Sequence, residues 1–262
     1  MSLQVIVATV NQIDYSLLDR MNIQSDAIIC NQCDRTAFEE FNYKGHKIKW
    51  FSFPERGVGL NRNNGLMRAT ADIVLFADDD VVYLNGYPEI IEGYYRQNPH
   101  ADVVVFNLNK KKVDGSIKPV VVKEGRASKK DLTRYGTIFI SARRERLHFK
   151  NIFFHLQFGG GALYSCGEDT LFLQDCKKKG MRIYITKKTI GAFEQGESTW
   201  FNGYTDKFFY DKGIVYYLID RSFASLFALY HCIKHWDLYK EYGWKKAFGQ
   251  MRKGILKCRR GK

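Results

Sequence analysis

The segment IVLFADDD, residues 73–80, joins five apolar residues directly to three consecutive carboxylates. An uninterrupted apolar run is typical of a strand buried on both faces of a parallel sheet. Ligands bind such sheets beyond the carboxyl ends of the strands, which is where Asp78, Asp79 and Asp80 follow. Three adjacent carboxylates repel one another, and a hard divalent ion, Mn²⁺ or Mg²⁺, would relieve that repulsion. The segment therefore predicts a metal site at Asp80, Asp79 and Asp78, and the alternative is a solvated acidic turn.

Further apolar runs lie on both sides of this segment and alternate with helical patterns. The predicted strands are 5–8, 27–30, 48–53, 73–76 and 103–106, and the predicted helices are 58–69 and 86–97. Helices between strands place parallel strands side by side and cover both faces of the sheet. The sequence therefore predicts an α/β fold with a Rossmann-like, mostly parallel central sheet flanked by helices.

The pattern changes after Asn107. We expect β-rich stretches at 117–123 and 136–140, a helix from about 168 to 179, a last strand at 182–186, and only helices from about Trp200. This divides the chain into residues 1–115, residues 116–200 and a helical, basic extension at 201–262.

Two glycine-containing segments accompany the acidic cluster. RGVGLNRNNG, residues 56–65, opens the helix before the acidic strand, so its glycines and helix N-terminus offer N–H groups to an anion, and Arg62 adds a charged donor. Gly159–Gly161 precede Glu168 and Asp169, which open a later helix. Acidic residues in the first turn of a helix are often only favourable partners of the helix dipole. The pair Glu168-Asp169 therefore indicates a functional site only together with the other two segments.

Together these segments resemble the inverting GT-A glycosyltransferases of family 2, which build bacterial capsule, O-antigen and related glycans. The resemblance rests on the opening strand Val5–Thr9, on NRNNG at 61–65, on the strand with its Asp cluster at 73–80, and on Gly167-Glu168-Asp169. It covers about residues 3–200, and the order and spacing of the motifs make it specific.

The resemblance implies a nucleotide-sugar site in the first half of the chain and an acceptor site in the second. It assigns Asp169 as the catalytic base with Glu168 as its neighbour. The residues expected to bind the nucleotide sugar are Thr9, Asn11, Asn31, Asp34, Arg62, Asp78 and Asp79. The implied donor is a UDP-sugar, and the implied acceptor is a hydroxyl of a lipid-linked oligosaccharide in surface polysaccharide synthesis.

The C-terminal region carries much of the net charge of +13. Residues 240–262 contain nine Lys and Arg and one Glu, and apolar residues recur there at helical spacing. An apolar stripe flanked by lysines describes a helix that lies on an anionic membrane, and it equally describes a helix packed on its own domain. The sequence favours the membrane contact because the expected acceptor is lipid-linked.

Composition limits the other functions. With 4 Pro and 45% hydrophobic residues, the chain is globular rather than disordered. No apolar run is long enough for a membrane span, no secretory leader is evident, and the 6 scattered cysteines indicate reduced thiols, so we expect a cytoplasmic protein on the inner face of the cell membrane. Two alternatives stay open: a nucleotidyltransferase that forms a sugar nucleotide, and a basic nucleic-acid-binding protein. The second is disfavoured by the carboxylate cluster, so no nucleic-acid partner is expected.

Overall fold

A computed structural model describes residues 1–194 and 203–260 of the chain. Within these two ranges, eleven strands form one sheet. They are β1 (Leu3–Val10), β2 (Asp26–Gln32), β3 (Ala37–Tyr43), β4 (His46–Phe53), β5 (Ile73–Asp78), β6 (Val81–Tyr83), β7 (Val103–Lys111), β8 (Ile117–Pro119), β9 (Gly125–Arg126), β10 (Ile140–Arg143) and β11 (Ile183–Glu194). The helices are α1 (Leu17–Arg20), α2 (Val58–Arg68), α3 (Tyr87–Gln97), α4 (Arg144–Phe149), α5 (Glu168–Lys178), α6 (Asp206–Ile219), α7 (Ala224–Lys234) and α8 (Trp244–Arg260). Short 3₁₀ turns lie at Asp131–Thr133, Thr137–Phe139 and Trp236–Tyr239.

The sheet order is β3-β4-β2-β1-β5-β10-β7-β11-β6, with β8 beside β7 and β9 beside β11. Strands β4, β2, β1 and β5 run parallel, and so do β7 and β11. Strand β10 lies antiparallel between β5 and β7, so the sheet is mixed. The predicted α/β fold is confirmed, with a parallel block at its centre and antiparallel strands around it.

Several elements differ from the sequence-based expectation: β6, β9 and α4 are not among the predicted elements, and β8 ends at Pro119 rather than at residue 123. Strand β3 is not among the predicted strands, because Glu39, Glu40 and Asn42 interrupt its apolar residues and it lies largely exposed at the sheet edge against β4. The stretch 136–140 is mainly the 3₁₀ turn Thr137–Phe139, and the strand β10 begins only at its last residue. Strand β11 runs on to Glu194, well past the predicted end at 186.

The buried core of the sheet explains why the parallel strands were predictable. In β1, β2 and β5 almost every side chain is buried in one hydrophobic core, and α2 packs against β1 and β2. The register pairs Ala8 with Asp78 and Thr9 with Asn31. The carboxyl ends of three neighbouring strands therefore meet at one edge of the sheet.

The C-terminal helices form a layer with its own core, to which Phe209, Tyr239 and Met251 contribute. No helix within residues 1–194 and 203–260 combines the length and apolar character needed to cross a membrane. The predicted division at 115/116 stays a prediction, although β10 and β11 lie in the same sheet as β1, and the boundary at 200/201 falls outside the described residues.

Helix α8 does not present its whole apolar stripe to solvent. Ala247, Met251 and Ile255 are buried against α6 and α7, while Trp244 keeps 43% of its surface exposed. The expectation that this stripe lies in a membrane is therefore wrong for its central residues, and the alternative of packing on the domain describes them.

Helices α6 and α8 approach each other through glycine. A Cβ atom added to Gly254 would lie 2.2 Å from the Tyr210 carbonyl oxygen, and one added to Gly213 would lie 2.0 Å from the Met251 carbonyl oxygen. Both contacts involve backbone atoms, which cannot move aside without shifting a helix. The crossing therefore requires glycine at both positions.

We predict opposite effects of alanine at the two glycines inside α8. Gly254→Ala forces α6 and α8 apart and should lower the free energy of unfolding by about 2–3 kcal/mol. Gly249→Ala, where a Cβ would meet nothing within 4 Å, should raise it by up to about 1 kcal/mol through helix propensity. Urea unfolding of both variants checks this, and equal effects would contradict the close crossing.

Candidate active site

A cleft with a volume of about 990 Å³ opens at the carboxyl edge of the parallel strands. The sheet supplies one wall, the segments around residues 134–138 and 160–170 supply others, and the start of α6 completes it. Its lining includes Thr9, Gln32, Arg62, Asp78, Asp79, Asp80, Lys110, Arg134, Tyr135, Glu168, Asp169, Lys207 and Lys212.

Seven of the ten predicted site residues line this cleft: Thr9, Arg62, Asp78, Asp79, Asp80, Glu168 and Asp169. The structure therefore brings together motifs that lie up to 160 residues apart in the sequence. This placement agrees with the predicted roles, which stay predictions at this point.

The other three predicted residues do not line the cleft. Asn31 is fully buried, and its amide exchanges two hydrogen bonds of 3.0 Å with the backbone of Gln12. Asn11 is exposed in a left-handed conformation with φ of 51°, and Asp34 is exposed beyond β2. Asn31 thus holds the loop after β1, and direct nucleotide contact by Asn11, Asn31 or Asp34 has no support in this geometry.

Arg62 is the central cation of the site. Its guanidinium is almost fully buried, donates to Asp78 Oδ1 at 2.7 Å and to Glu168 Oε1 at 3.1 Å, and lies 5.5 Å from the Phe154 ring centroid. A buried cation is stable only where carboxylates and hydrogen bonds replace its water. Arg62 therefore joins the carboxylate at the end of β5 to the carboxylate at the start of α5.

The residues around Arg62 fix its position by backbone contacts. Asn61 donates to the Cys30 carbonyl at 2.9 Å, and Asn63 exchanges two bonds of 2.8 Å with the backbone of Phe154. A Cβ on Gly65 would lie 2.3 Å from Ile6 Cγ2, so only glycine lets α2 lie this close to β1. The NRNNG motif therefore fixes α2 against its neighbours and orients the Arg62 side chain into the cleft.

The start of α2 is partly engaged within the protein, and the anion site that its glycines predict stays a prediction. The Val58 amide donates to the Gly160 carbonyl at 2.9 Å, and a Cβ on Gly59 would lie 2.7 Å from the His155 carbonyl oxygen. The segment 155–160 therefore packs against this helix terminus, and Val58 still lines the cleft. These glycines serve close packing between α2 and that segment.

The acidic pair lies at the N-terminus of α5. Gly167 adopts a φ of 105°, and a Cβ there would lie 2.5 Å from Val215 Cγ2 of α6. A Cβ on Gly159, with φ of 98°, would lie 2.8 Å from Glu168 Cδ. Two left-handed glycines thus allow the chain to turn sharply and to bring α5, α6 and Glu168 together.

The two carboxylates of the pair have different surroundings. Burial raises the pKa of Glu168, the adjacent Asp169 carboxylate raises it further, and the Arg62 guanidinium opposes both. Asp169 lines the cleft, and its Oδ1 accepts a hydrogen bond from the Thr170 amide at 2.6 Å. Its Oδ2 lies beside Gly136, 3.7 Å from the position that a Cβ atom on that glycine would take. Asp169 is therefore the carboxylate of this pair that a substrate in the cleft can reach, while Glu168 is engaged with Arg62.

The three consecutive aspartates take separate partners. Asp78 pairs with Arg62, and Asp79 accepts a hydrogen bond from the Thr9 hydroxyl. Desolvation in the cleft raises the pKa of Asp80 to about 6, and the carboxylates of Asp78 and Asp79 add to the shift. Asp78 is thus the aspartate of the three that is paired with a cation, while Asp79 has a neutral donor and the charged form of Asp80 is disfavoured.

This arrangement bears on the predicted metal. Within residues 1–194 and 203–260, no three Asp, Glu, His or Cys side chains converge closely enough to hold a metal ion. The predicted three-aspartate ligand set is therefore not assembled, because Asp78 and Asp79 are directed at Arg62 and Thr9. One or two carboxylates still fit Mg²⁺ or Mn²⁺, which are commonly held by few protein oxygens together with substrate phosphates.

Sequence reasoning missed the basic side of the cleft. Lys110 of β7, Arg134, and Lys207 and Lys212 of α6 line it. Lys207 Nζ donates to the Leu163 carbonyl and to Asp211 Oδ2, both at 2.7 Å. These residues belong to three separate segments and follow no motif, so only the tertiary fold could reveal that they share one cleft.

The chain matches one protein family by sequence and solved structures of S. aureus TarS by fold. The family model described as Glycosyl transferase family 2 matches residues 17–167. S. aureus TarS 1-349 in complex with UDP-GlcNAc superposes with a TM-score of 0.64 at 16% sequence identity, covering 97% of this chain and 82% of that chain. TarS 1-349 in complex with UDP gives 0.57 at 15% identity, covering 100% and 92%, and a longer S. aureus TarS chain gives 0.58 at 16%, covering 82% and 39%. Identities this low show a shared fold alone, and no curated protein sequence matches the chain.

We predict that Arg62 and Glu168 are energetically coupled. Arg62→Gln leaves Glu168 buried without its cation and should lower the free energy of unfolding at pH 7 by about 2–3 kcal/mol. Adding Glu168→Gln should restore about 1–2 kcal/mol of that loss, which urea unfolding of both single variants and the double variant measures.

The pH dependence of this loss has a defined sign. Because the pKa of Glu168 is already raised and rises further without Arg62, acidification protonates Glu168 and should shrink the loss between pH 7 and pH 5. Arg68→Gln, on the same helix with its guanidinium stacked 5.0 Å from the Phe51 ring centroid, is the control and should show little pH dependence. Strictly additive effects of the Arg62 and Glu168 substitutions would contradict the coupling.

Proposed function

This chain belongs to glycosyl transferase family 2 and is a glycosyltransferase, and we propose that it moves a sugar from a nucleoside diphosphate to an acceptor hydroxyl with inversion at the anomeric carbon. The observation that carries the proposal is the meeting of two acidic motifs, at 78–80 and 168–169, across one buried arginine in one large cleft. Family membership decides for sugar transfer over the nucleotidyltransferase and nucleic-acid-binding alternatives.

Asp169 is the proposed base. In a single displacement, the acceptor hydroxyl becomes acidic as its oxygen attacks, so a carboxylate within hydrogen-bond reach must accept its proton. Asp169 faces the cleft, while Glu168 is engaged with Arg62. The Arg62–Glu168 pair then serves to hold the start of α5 and to keep Asp169 in place.

The donor is proposed to be a UDP-sugar. The similarity to TarS, whose structures contain UDP-GlcNAc and UDP, supports this choice, as does the position of Thr9 and Asp79 at the ends of β1 and β5. The departing diphosphate gains negative charge, and the basic residues Lys110, Arg134 and Lys212 around the cleft stabilise that charge.

Mn²⁺ or Mg²⁺ is the proposed cofactor. Asp80, together with Asp78, would hold the ion, which neutralises charge on the diphosphate when it is bound. Carboxylate oxygens are the ligands that such hard cations prefer. Burial raises the pKa of Asp80 and the carboxylates of Asp78 and Asp79 raise it further, so the charged form of Asp80 is disfavoured and a bound cation would stabilise it.

The acceptor is proposed to be a hydroxyl of a lipid-linked glycan in bacterial surface polysaccharide synthesis, such as capsule. We place the enzyme in the cytoplasm, in peripheral contact with the inner face of the cell membrane. The basic extension supports this proposal because it would keep the enzyme at the surface where such an acceptor resides.

We predict that Asp169→Asn retains the donor and loses turnover. The amide keeps the shape of the side chain but cannot take a proton, so the transfer rate should fall by a factor of about 10³ or more while the affinity for the nucleotide sugar changes little. Asp175→Asn is the control on the same helix, since Asp175 bonds His155 at 2.9 Å away from the cleft lining. A near-normal rate for Asp169→Asn would remove it from the role of base.

We predict that Asp80→Asn weakens Mn²⁺ binding. In the wild-type protein, Mn²⁺ added with UDP should raise the melting temperature, and the concentration needed should increase about tenfold or more in the variant. Asp72→Asn is the control, because Asp72 precedes the same strand at its opposite end and bonds Ser2. An unchanged Mn²⁺ dependence of the Asp80 variant would exclude this residue as a ligand.

A screen of nucleotide sugars for protection against thermal unfolding, and for Mn²⁺-dependent hydrolysis, tests the proposed donor directly. UDP-sugars should protect the protein, and equal or better protection by GDP- or dTDP-sugars would overturn the choice of nucleotide.

A further inference from the structure

Helix α7 presents an apolar face to solvent. Five residues at helical spacing on or beside it are exposed over large fractions of their surface: Phe223 53%, Leu226 59%, Phe227 37%, Tyr230 56% and Ile233 61%. Single exposed apolar residues are common, but a contiguous stripe of this kind usually marks an interaction surface. We call these five residues the α7 face.

The opposite side of the helix is firmly packed. Ala224, Ala228 and Cys232, spaced four residues apart, are fully buried in the core of the C-terminal layer. The orientation of α7 is therefore fixed by packing. The small residues of α7 pack against α6 and α8. The larger apolar residues on the opposite side of the helix, the α7 face, are therefore exposed to solvent.

The apolar surface continues past the end of α7. Trp236, Leu238 and Trp244 are 53%, 56% and 43% exposed. Lys240 Nζ lies 4.6 Å from the Trp236 ring centroid, and Lys245 Nζ lies 5.8 Å from that of Trp244. Tryptophan and tyrosine beside lysine are typical of side chains that occupy the boundary between lipid headgroups and acyl chains.

A strongly basic helix packs directly against α7. Residues 244–260 contain seven Lys and Arg and no Asp or Glu. After Trp244, α8 buries the apolar residues Met251 and Ile255, and its basic residues are exposed. The apolar face and the excess of positive charge thus belong to one helical layer.

We propose that the α7 face inserts into the interface of an anionic lipid bilayer, with the lysines and arginines of α8 at the headgroups. Charge selects this occupant over a second copy of the chain. Two copies joined through α7 would bring two basic α8 helices near each other, whereas acidic headgroups neutralise them. The inference places the membrane contact on α7 rather than on the buried stripe of α8, and it does not depend on sugar transfer.

The same layer reaches the cleft. Lys207 and Lys212 of α6 line the cleft, and α6 packs on both α7 and α8. A bilayer bound at α7 would therefore contact the layer that also forms a wall of the cleft. This connection gives a lipid-linked acceptor a route to the site, and this last step alone rests on the proposed function.

Vesicle binding of the full-length chain tests the proposal. Wild-type protein should float with vesicles of phosphatidylglycerol and phosphatidylcholine and should bind pure phosphatidylcholine far more weakly. The double substitution Leu226→Glu/Ile233→Glu places two charges on the α7 face and should weaken binding to the anionic vesicles by roughly 30-fold or more. Both residues are largely exposed, so circular dichroism and the melting temperature should stay unchanged.

The matched control is Val113→Glu/Ile117→Glu, with Val113 in the turn between β7 and β8 and Ile117 at the start of β8. These residues are 92% and 61% exposed, so the control adds the same charge to apolar surface positions distant in sequence from α7. It should bind vesicles nearly as the wild type does. Equal weakening by both double variants would show a general charge effect and would overturn the proposal.

Two further outcomes would also overturn it. Failure of the wild-type chain to bind anionic vesicles would exclude the bilayer as partner. A dimer in light scattering that Leu226→Glu/Ile233→Glu converts to a monomer would assign the face to self-association. Because none of these measurements uses a sugar donor, a negative result leaves the proposed transfer reaction standing, and an inactive enzyme that binds vesicles leaves this inference standing.

Discussion

The buried guanidinium of Arg62 is the interaction on which the site depends. A cation removed from water is costly, and its two carboxylate partners come from β5 and α5, which are 90 residues apart. Satisfying Arg62 therefore requires that the acidic end of the sheet and the start of α5 lie at a fixed separation. Without that cation, Glu168 would be a buried and unpaired carboxylate, and nothing else in the described contacts would join these two acidic motifs.

The helical extension is structurally part of the site rather than an attached tail. Buried Asp211 of α6 accepts hydrogen bonds from the amide and hydroxyl of Ser165 at 2.8 and 2.9 Å, which fixes the loop just before the acidic pair. Gly167 touches Val215 of the same helix so closely that no side chain fits. The position of α5 therefore rests on α6 from one side and on Arg62 from the other, so removing the extension would disturb the site.

The sequence predicted the elements whose pattern of apolar residues reflects their burial. It did not predict the roles of residues whose partners are distant in the sequence. The strand at 73–76 was predictable because burial on both faces demands apolar residues throughout that stretch. Strand β3 was not, because an exposed edge tolerates charge. Asn31 looked like a ligand but closes a backbone loop, and Lys212 looked like part of a tail but lines the cleft. Which of these roles a polar residue takes is decided by partners distant in sequence.

The charges of the cleft constrain how an anionic donor can sit in it. Five carboxylates face a single arginine on the acidic side, at 78–80 and 168–169, while Lys110, Arg134 and Lys212 line the cleft from other segments. Burial raises the pKa values of Asp80 and Glu168, and neighbouring carboxylates raise them further, so additional negative charge on this side is unfavourable. A diphosphate can therefore approach the acidic side only with a cation between them, and otherwise it must lie against the basic residues. The acceptor hydroxyl, being neutral, has no such restriction, and this is why a free carboxylate at Asp169 can face it.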